Sequence, residues 1–302
     1  MKAVIDLGTN TFHLFIADVK GDVLIEYFKL QIPVKLGKGG INNNLITVDS
    51  FERGLLALNE FQKYINQFGV TEVLAFATSA IRNAQNGADF IDAVKAQCGI
   101  IITSITGNQE ATFIYEGVRH SFNMPAMPVL VMDIGGGSVE FIIGNQHEIL
   151  YKQSIEIGAA RLLDKFHKHN PITEAEVAQI NQYLDEVLVD FKEAVRVYKP
   201  IVLVGAAGSF ETLADVVLKD LAVIPLTLSR HAREIRFEDF EIFVEVMKTS
   251  TIEQRSKLKG MVDFRTEMIT VATLLMDVVV QMCGVKRIIV SDYSLKEGVF
   301  FS

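Results

Sequence analysis

The sequence predicts an α/β protein built from two similar domains that face each other across a cleft. Three observations carry this. The chain has 302 residues, room for about two domains of ordinary size. Short apolar runs bounded by Gly and Asn alternate with longer stretches of helical period, the pattern of strands and helices in turn. One segment also occurs twice: residues 3–17 read AVIDLGTNTFHLFIA and residues 130–144 read LVMDIGGGSVEFIIG. Asp6 matches Asp133 and Gly8 matches Gly135, an offset of 133 − 6 = 127 residues.

Each copy reads as strand, small polar turn, strand. The first continues through LFIADV and DVLIEYFKL around a hairpin turn at Lys20-Gly21-Asp22, the second through EFIIG and EILYKQSIEIG around Asn145-Gln146-His147. A helix follows both. Ser50 to Phe68 carries Leu55, Leu56, Leu58, Phe61, Tyr64 and Ile65 close to a helical period. Thr173 and Glu176 have capping-box spacing ahead of an amphipathic helix through about Tyr198. EVLAFATSAIRNA and IVLVGAAGS then read as strands that end in small-residue loops. Each half is therefore βββαβ with further αβ material. The stretch Asn123 to Pro128 reads as a linker, so the expected units are 1–120 and 121–291. The strand RIIVSD and the segment SLKEGVFF are read as returning toward the first domain, which residues 292–302 complete.

Composition narrows the function classes. Hydrophobic residues at 49 % and charged residues at 22 % fit a folded core, not a disordered chain. A net charge of −8 argues against a broad nucleic-acid surface but leaves room for a local basic pocket. Cys98 and Cys283 lack metal-site or disulfide-framework spacing, which points to a reducing compartment. Asp6 interrupts the first apolar run before a signal peptide can form, and Asp277 cuts the most apolar window, Met268 to Val285. A soluble, cytoplasmic chain with no nucleic-acid and no membrane partner is expected, with a homodimer as the candidate assembly.

The two turns carry the chemistry. Gly135-Gly136-Gly137-Ser138 allows backbone N–H groups to approach an anion without interference from Cβ atoms. Gly8-Thr9-Asn10-Thr11 offers the same, with hydroxyl and amide donors added. A phosphate chain held between them is one reading; two tight hairpins that need glycine are the other. A carboxylate at a buried strand end is costly unless paired or bound to a cation. Asp133 and Glu140, seven apart across the turn, are placed to share such a role, for instance toward Mg²⁺. The competing reading has Asp133 accepting hydrogen bonds from turn amides.

These residues resemble the exopolyphosphatase / guanosine pentaphosphate phosphohydrolase (Ppx/GppA) family of the actin, Hsp70 and sugar-kinase superfamily. IDLGTNTFHL is similar to its first phosphate loop, ATSAIRNAQN to its arginine-bearing segment and ITGNQEATFIYEGV to the stretch with the catalytic glutamate. MDIGGGSVEF is similar to the second phosphate loop, and LVGAAGS and SDYSLKEGV also fit. The resemblance spans nearly the whole chain. It implies two ribonuclease H-like (actin-like ATPase) domains of βββαβαβα type flanking a cleft.

The resemblance further implies that Glu110 is the catalytic carboxylate, deprotonating the water that attacks the terminal phosphorus. Asp133 and Glu140 would hold Mg²⁺, with Asp6 ranked behind them. Gly8, Thr9, Asn10, Gly135, Gly136, Gly137 and Ser138 would cradle phosphates, and Arg82 would clamp one in bidentate fashion. Arg265 matches an arginine that the family places near the cleft. Three positions depart from the family: Gln109 and Thr112 stand where Glu and Arg are usual, and Val139 where Thr is usual. The sequence stops after SLKEGVFFS without the helical C-terminal domain of longer members, so a shorter polymer channel is expected.

The implied activity is Mg²⁺-dependent release of terminal phosphates from inorganic polyphosphate. Hydrolysis of guanosine pentaphosphate, tied to the stringent response, uses the same parts. A superfamily ATPase or kinase and a non-catalytic phosphate-polymer sensor rank lower. His13 is read as a packed core histidine, and Lys165, His167, Lys168 and His169 as either a solvated helix end or a guide for a polyanion. Ser138 has no His–Asp partners in view, which argues against serine hydrolysis.

Overall fold

A computed structural model describes residues 1–21, 23–221 and 226–302. Asp22, at the end of the expected first hairpin turn, lies outside the described residues. The first half runs β1 (Lys2–Leu7), β2 (Phe12–Lys20), β3 (Val23–Ile32), α1 (Val48–Gln67), β4 (Glu72–Ala77), α2 (Ser79–Asn83), α3 (Gly87–Cys98), β5 (Ile102–Ser104) and α4 (Gly107–Ser121). The second runs β6 (Val129–Ile134), β7 (Val139–Gly144), β8 (Ile149–Ile155), α5 (Ala159–Phe166), α6 (Glu174–Val187), α7 (Val189–Tyr198), β9 (Val202–Ala206) and α8 (Ala207–Lys219). It continues with β10 (Leu226–Ser229), β11 (Ala232–Ile235), α9 (Phe237–Thr249), α10 (Ile252–Ser256), α11 (Ile269–Cys283), β12 (Arg287–Ser291) and α12 (Leu295–Gly298).

The strand orders are β3-β2-β1-β4-β5 and, in the second sheet, β8-β7-β6-β9-β12 with β11 and β10 added at the edge. In each unit the first strand pairs antiparallel with the second and parallel with the fourth. The internal repeat is thus a repeat of topology: two ribonuclease H-like sheets built in the same order.

Strand alternation decides which face carries the polar residues. On β6, Leu130, Met132 and Ile134 enter one core, while Val129 and Val131 enter the other, which is the core that α4 covers. Asp133 shares the parity of the second set. On β7, Val139, Phe141 and Ile143 join the first core and Ile142 the second, so Glu140 falls on the α4 side. The first sheet repeats the scheme. Ala3, Ile5, Leu7, Phe12, Leu14 and Ile16 build its core, leaving Asp6 and His13 on the opposite face.

The helix α4 starts at a capping box, with Thr106 accepting from the Gln109 amide and Gln109 Oε1 accepting from Thr106 N–H at 2.9 Å. It lays Ala111, Ile114, Tyr115 and Val118 on the second sheet, although sequence order puts it at the end of the first half. Phe113 meets Phe76 of the first sheet, with ring centroids 5.3 Å apart. Against α4 lies α12, at a crossing where both helices carry glycine. A Cβ on Gly117 would overlap the Ser294 carbonyl, and one on Gly298 the Phe113 carbonyl.

Two expectations change. RIIVSD does not return to the first domain: β12 pairs parallel with β9 and antiparallel with β11. Its apolar centre, Ile288, Ile289 and Val290, is buried on both faces of the second sheet, as an interior parallel strand requires. The segment after it does reach back, since Phe300 packs edge-on against Phe15 at 5.6 Å. The single helix expected to Tyr198 is two helices, broken at Leu188 (φ −97°, ψ 18°), which keeps Leu184, Leu188 and Phe191 together in the core. Among the described residues no helix is long and apolar enough to cross a membrane.

Candidate active site

The turns after β1, β4, β6 and β9 converge on one cavity of about 130 Å³ between the two sheets. Strand carboxyl ends at the middle of an open sheet are where α/β proteins bind ligands. Asp6, Gly8, Thr9 and Asn10 line it from the first unit, and Asp133, Gly135, Gly136, Gly137, Ser138 and Glu140 from the second. Glu110 and Arg265 line it as well, so twelve of the thirteen candidate residues meet there; Arg82 does not.

The paired-carboxylate expectation has a simple geometric basis. Asp133 and Glu140 are directly opposite in the β6–β7 ladder, and the equivalent pair in β1–β2 is Asp6 and His13. The repeat therefore places a histidine where its second copy places a glutamate. His13 is half-buried and lines the cavity instead of packing in the core; desolvation, then the nearby Lys296, hold its pKa well below the usual imidazole value, so it is neutral. Its Nε2 is 3.0 Å from Thr11 Oγ1, and its buried Nδ1 has no protein partner.

The carboxylates raise one another. Burial lifts Glu110 to about 7, with Asp6 and Glu156 adding to the rise and Arg82 opposing it. Burial raises Asp6 to about 6, with Lys296 opposing. Asp133 and Glu140 are pushed well above the usual carboxyl range by burial, with Glu110 the next cause in each case. Ser154 donates to Glu140 Oε1 at 2.6 Å. Among the described residues no three His, Cys, Asp or Glu side chains are gathered as a ready metal-ligand set. The donors present are nonetheless hard carboxylate oxygens, and Mg²⁺ takes only one or two of these alongside water and phosphate.

The two glycine turns touch in this conformation. A Cβ on Gly136 would lie 2.6 Å from Asn10 Nδ2, and one on Gly137 2.6 Å from Thr9 Oγ1. Asn10 Nδ2 itself donates to the Met268 sulfur at 2.9 Å.

Arg82 is spent on protein partners, donating to Glu110 at 2.9 Å, to Glu156 at 3.1 Å and to the Ile105 carbonyl at 3.1 Å. Glu156 also accepts from Ser79 at 2.5 Å and from Arg161 at 3.1 Å. Arg161 reaches the Ile41 carbonyl at 2.7 Å, and Asn42 donates to Asp164 at 2.7 Å. These bonds tie the first unit to the second. Arg265 donates to the Gly208 carbonyl at 2.7 Å, to Thr212 and to Glu211.

Three residues of the site escaped sequence reasoning: Glu156, Glu211 and Lys296. The contacts that bring Glu156 to Arg82 and Glu211 to Arg265 span 74 and 54 residues of sequence, so neither carries a local signal. Lys296 sits inside the SLKEGV motif, where Ser294 and Glu297 form a capping box. The departures have local explanations. Gln109 serves the capping box as well as glutamate would, and Thr112 accepts from Lys152 Nζ at 2.7 Å. Val139 is fully buried in the core. None of Lys165, His167, Lys168 and His169 lines the cavity; Lys165 lies over the Tyr183 ring at 3.9 Å and His169 pairs with Glu176.

The chain is similar to several known proteins. The solved structure of an exopolyphosphatase from Cytophaga hutchinsonii is 39 % identical, with a TM-score of 0.95 over 99 % of this chain and 96 % of that one. Exopolyphosphatase 1 of Mycobacterium tuberculosis is 25 % identical over 98 % of this chain and 86 % of its own length. The bifunctional 3-dehydroquinate synthase/phosphatase of Fusobacterium nucleatum is 30 % identical over 97 % of this chain, which spans only 45 % of that relative. Residues 15–302 match the profile of the Ppx/GppA phosphatase family as a whole. With that match over residues 15–302, nearly the whole chain, the chain belongs to the Ppx/GppA phosphatase family.

Proposed function

We propose that the chain hydrolyses phosphoanhydride bonds, releasing terminal phosphates from inorganic polyphosphate with the aid of Mg²⁺. The observation that carries this reading is the convergence of two glycine turns and the Glu110, Asp133 and Glu140 carboxylates on one cavity. The amides of residues 8–10 and 135–138 bind and orient phosphate oxygens. Glu110, poised near neutrality by burial, takes the proton of the attacking water. Asp133 and Glu140 would hold Mg²⁺, which when bound would supply positive charge toward the phosphate oxygens. Admitting a chain between turns that now touch requires the two units to part. That movement releases the Arg82 fork from Glu156 for a phosphate.

Hydrolysis of guanosine pentaphosphate is the second reading, favoured by one observation. A cavity of about 730 Å³ shares Glu211 with the first and carries His231 stacked on Tyr293 at 4.3 Å, room and a surface for a nucleotide head.

The test is phosphate release with Mg²⁺ from long-chain polyphosphate, guanosine pentaphosphate and ATP in parallel, with Glu110→Gln as control. Release from polyphosphate that the variant loses supports the first reading. Faster cleavage of the pentaphosphate favours the second. No release from any of the three, with binding intact, overturns both and leaves a phosphate-polymer sensor.

A further inference from the structure

Five carboxylates line the cavity, Asp6, Glu110, Asp133, Glu140 and Glu211, against two cations, Arg265 and Lys296. A polyanion entering there meets more carboxyl groups than cations, so each cation facing it matters. Arg265 is occupied by a carbonyl, a hydroxyl and Glu211. Lys296 is different. Its side chain is only 5 % exposed, yet it lines the cavity. Among the described residues its Nζ bonds only to Glu297, 3.1 and 3.2 Å from the two carboxylate oxygens. An ammonium has three N–H donors, and one carboxylate takes at most two of them. At least one donor therefore has no protein partner, in a group too buried to turn to bulk water.

Glu297 has its own work, since its Oε2 accepts from Ser294 N–H at 2.9 Å and caps α12. The helix is fixed by the glycine crossing with α4, so the Lys296 backbone cannot drift from the cavity wall. A buried lysine whose role was the ion pair alone would be poor design, because desolvating two charges offsets most of their attraction.

We propose that Lys296 is a substrate-contacting residue that donates its remaining N–H to an oxygen of the bound phosphate chain. The proposal rests on the phosphate-chain reading above and adds to it a cation from the closing segment of the sequence. Lys296 binds as a point charge, which tolerates a phosphate in more than one position. That suits a chain that advances as its end is removed.

The experiment measures tripolyphosphate binding by calorimetry, with Glu110→Gln as the non-hydrolysing parent and Lys296→Gln, Lys296→Arg and Glu297→Gln added to it. Loss of one charge-assisted hydrogen bond predicts about 10- to 100-fold weaker binding for Lys296→Gln. Lys296→Arg should recover most of the loss, and Glu297→Gln should bind at least as tightly as the parent. Equal weakening by Lys296→Gln and Glu297→Gln, tracking a loss of melting temperature, overturns the proposal in favour of a structural ion pair. Unchanged binding by Lys296→Gln overturns it too. Should Lys296→Gln not fold, Glu297→Gln decides alone: weaker binding overturns the contact, equal or tighter binding supports it. Wild-type turnover is scored separately. A parent that binds tripolyphosphate while the wild type releases no phosphate refutes the hydrolase reading and leaves the Lys296 result standing. A parent that binds no tripolyphosphate overturns the Lys296 contact whatever the turnover.

Discussion

Arg82 Nη1 donates to Glu110 Oε2 at 2.9 Å, so the candidate base and the candidate phosphate clamp are paired with each other in this conformation. The same guanidinium reaches Glu156 on the other unit. The contacts that occupy Arg82 are thus among those that join the two units, and they are few enough to test singly.

Glu110→Gln removes the proton acceptor and leaves both glycine turns in place. Turnover should fall by about 10²- to 10⁴-fold while polyphosphate binding persists. Phosphate release and calorimetry on one preparation check this. Near-full activity would mean that another group takes the proton.

Glu156→Gln weakens three contacts at once, with Ser79, Arg82 and Arg161. The unliganded protein should become more open, with a larger radius of gyration in solution scattering. An unchanged scattering curve would show that the latch does not govern the cleft.

Stability should depend on pH through the buried carboxylates. The folded protein holds Asp6 at about 6 and Glu110 at about 7, both above their ordinary values of 3.8 and 4.5. Over that window the native state binds more protons than the unfolded chain, so this contribution to stability falls as pH rises from about 4 to about 7. Asp133 and Glu140 act in the same direction. Asp133→Asn removes one ionisable group and one repulsion, and its melting temperature should decline less with pH than that of the wild type. Millimolar Mg²⁺ should raise the wild-type melting temperature above pH 7 and raise that of Asp133→Asn less. Parallel melting curves for the two proteins would refute the charge-cluster account.

Gly298→Ala places a methyl group against the Phe113 carbonyl at the α4–α12 crossing. Backbone on both sides leaves little room to relax, so destabilisation of about 1–3 kcal/mol or more is expected. Urea unfolding measures it. Gly69→Ala is a useful contrast: nothing crowds that Cβ, and only the positive φ of 61° opposes it.

Much of this molecule is legible before it folds. The duplicated Asp-x-Gly turns announce two copies of one unit, because a glycine turn between apolar runs is a local signal. Pairing of Asp133 with Glu140 follows from their spacing across a tight hairpin, where a two-stranded ladder leaves little choice of partner. Strand parity then puts both on the face opposite the first core. What only the tertiary structure decided is how the halves meet. Sequence order assigns α4 to the first half, but its apolar stripe fits the second sheet, and this brings Glu110 to the Asp133–Glu140 pair. The Arg82–Glu156 contact, the Glu211–Arg265 pair and the arrival of Lys296 at the cavity join residues far apart along the chain. Local propensity is blind to such pairs, because burial and charge select them only after the two sheets have closed on each other.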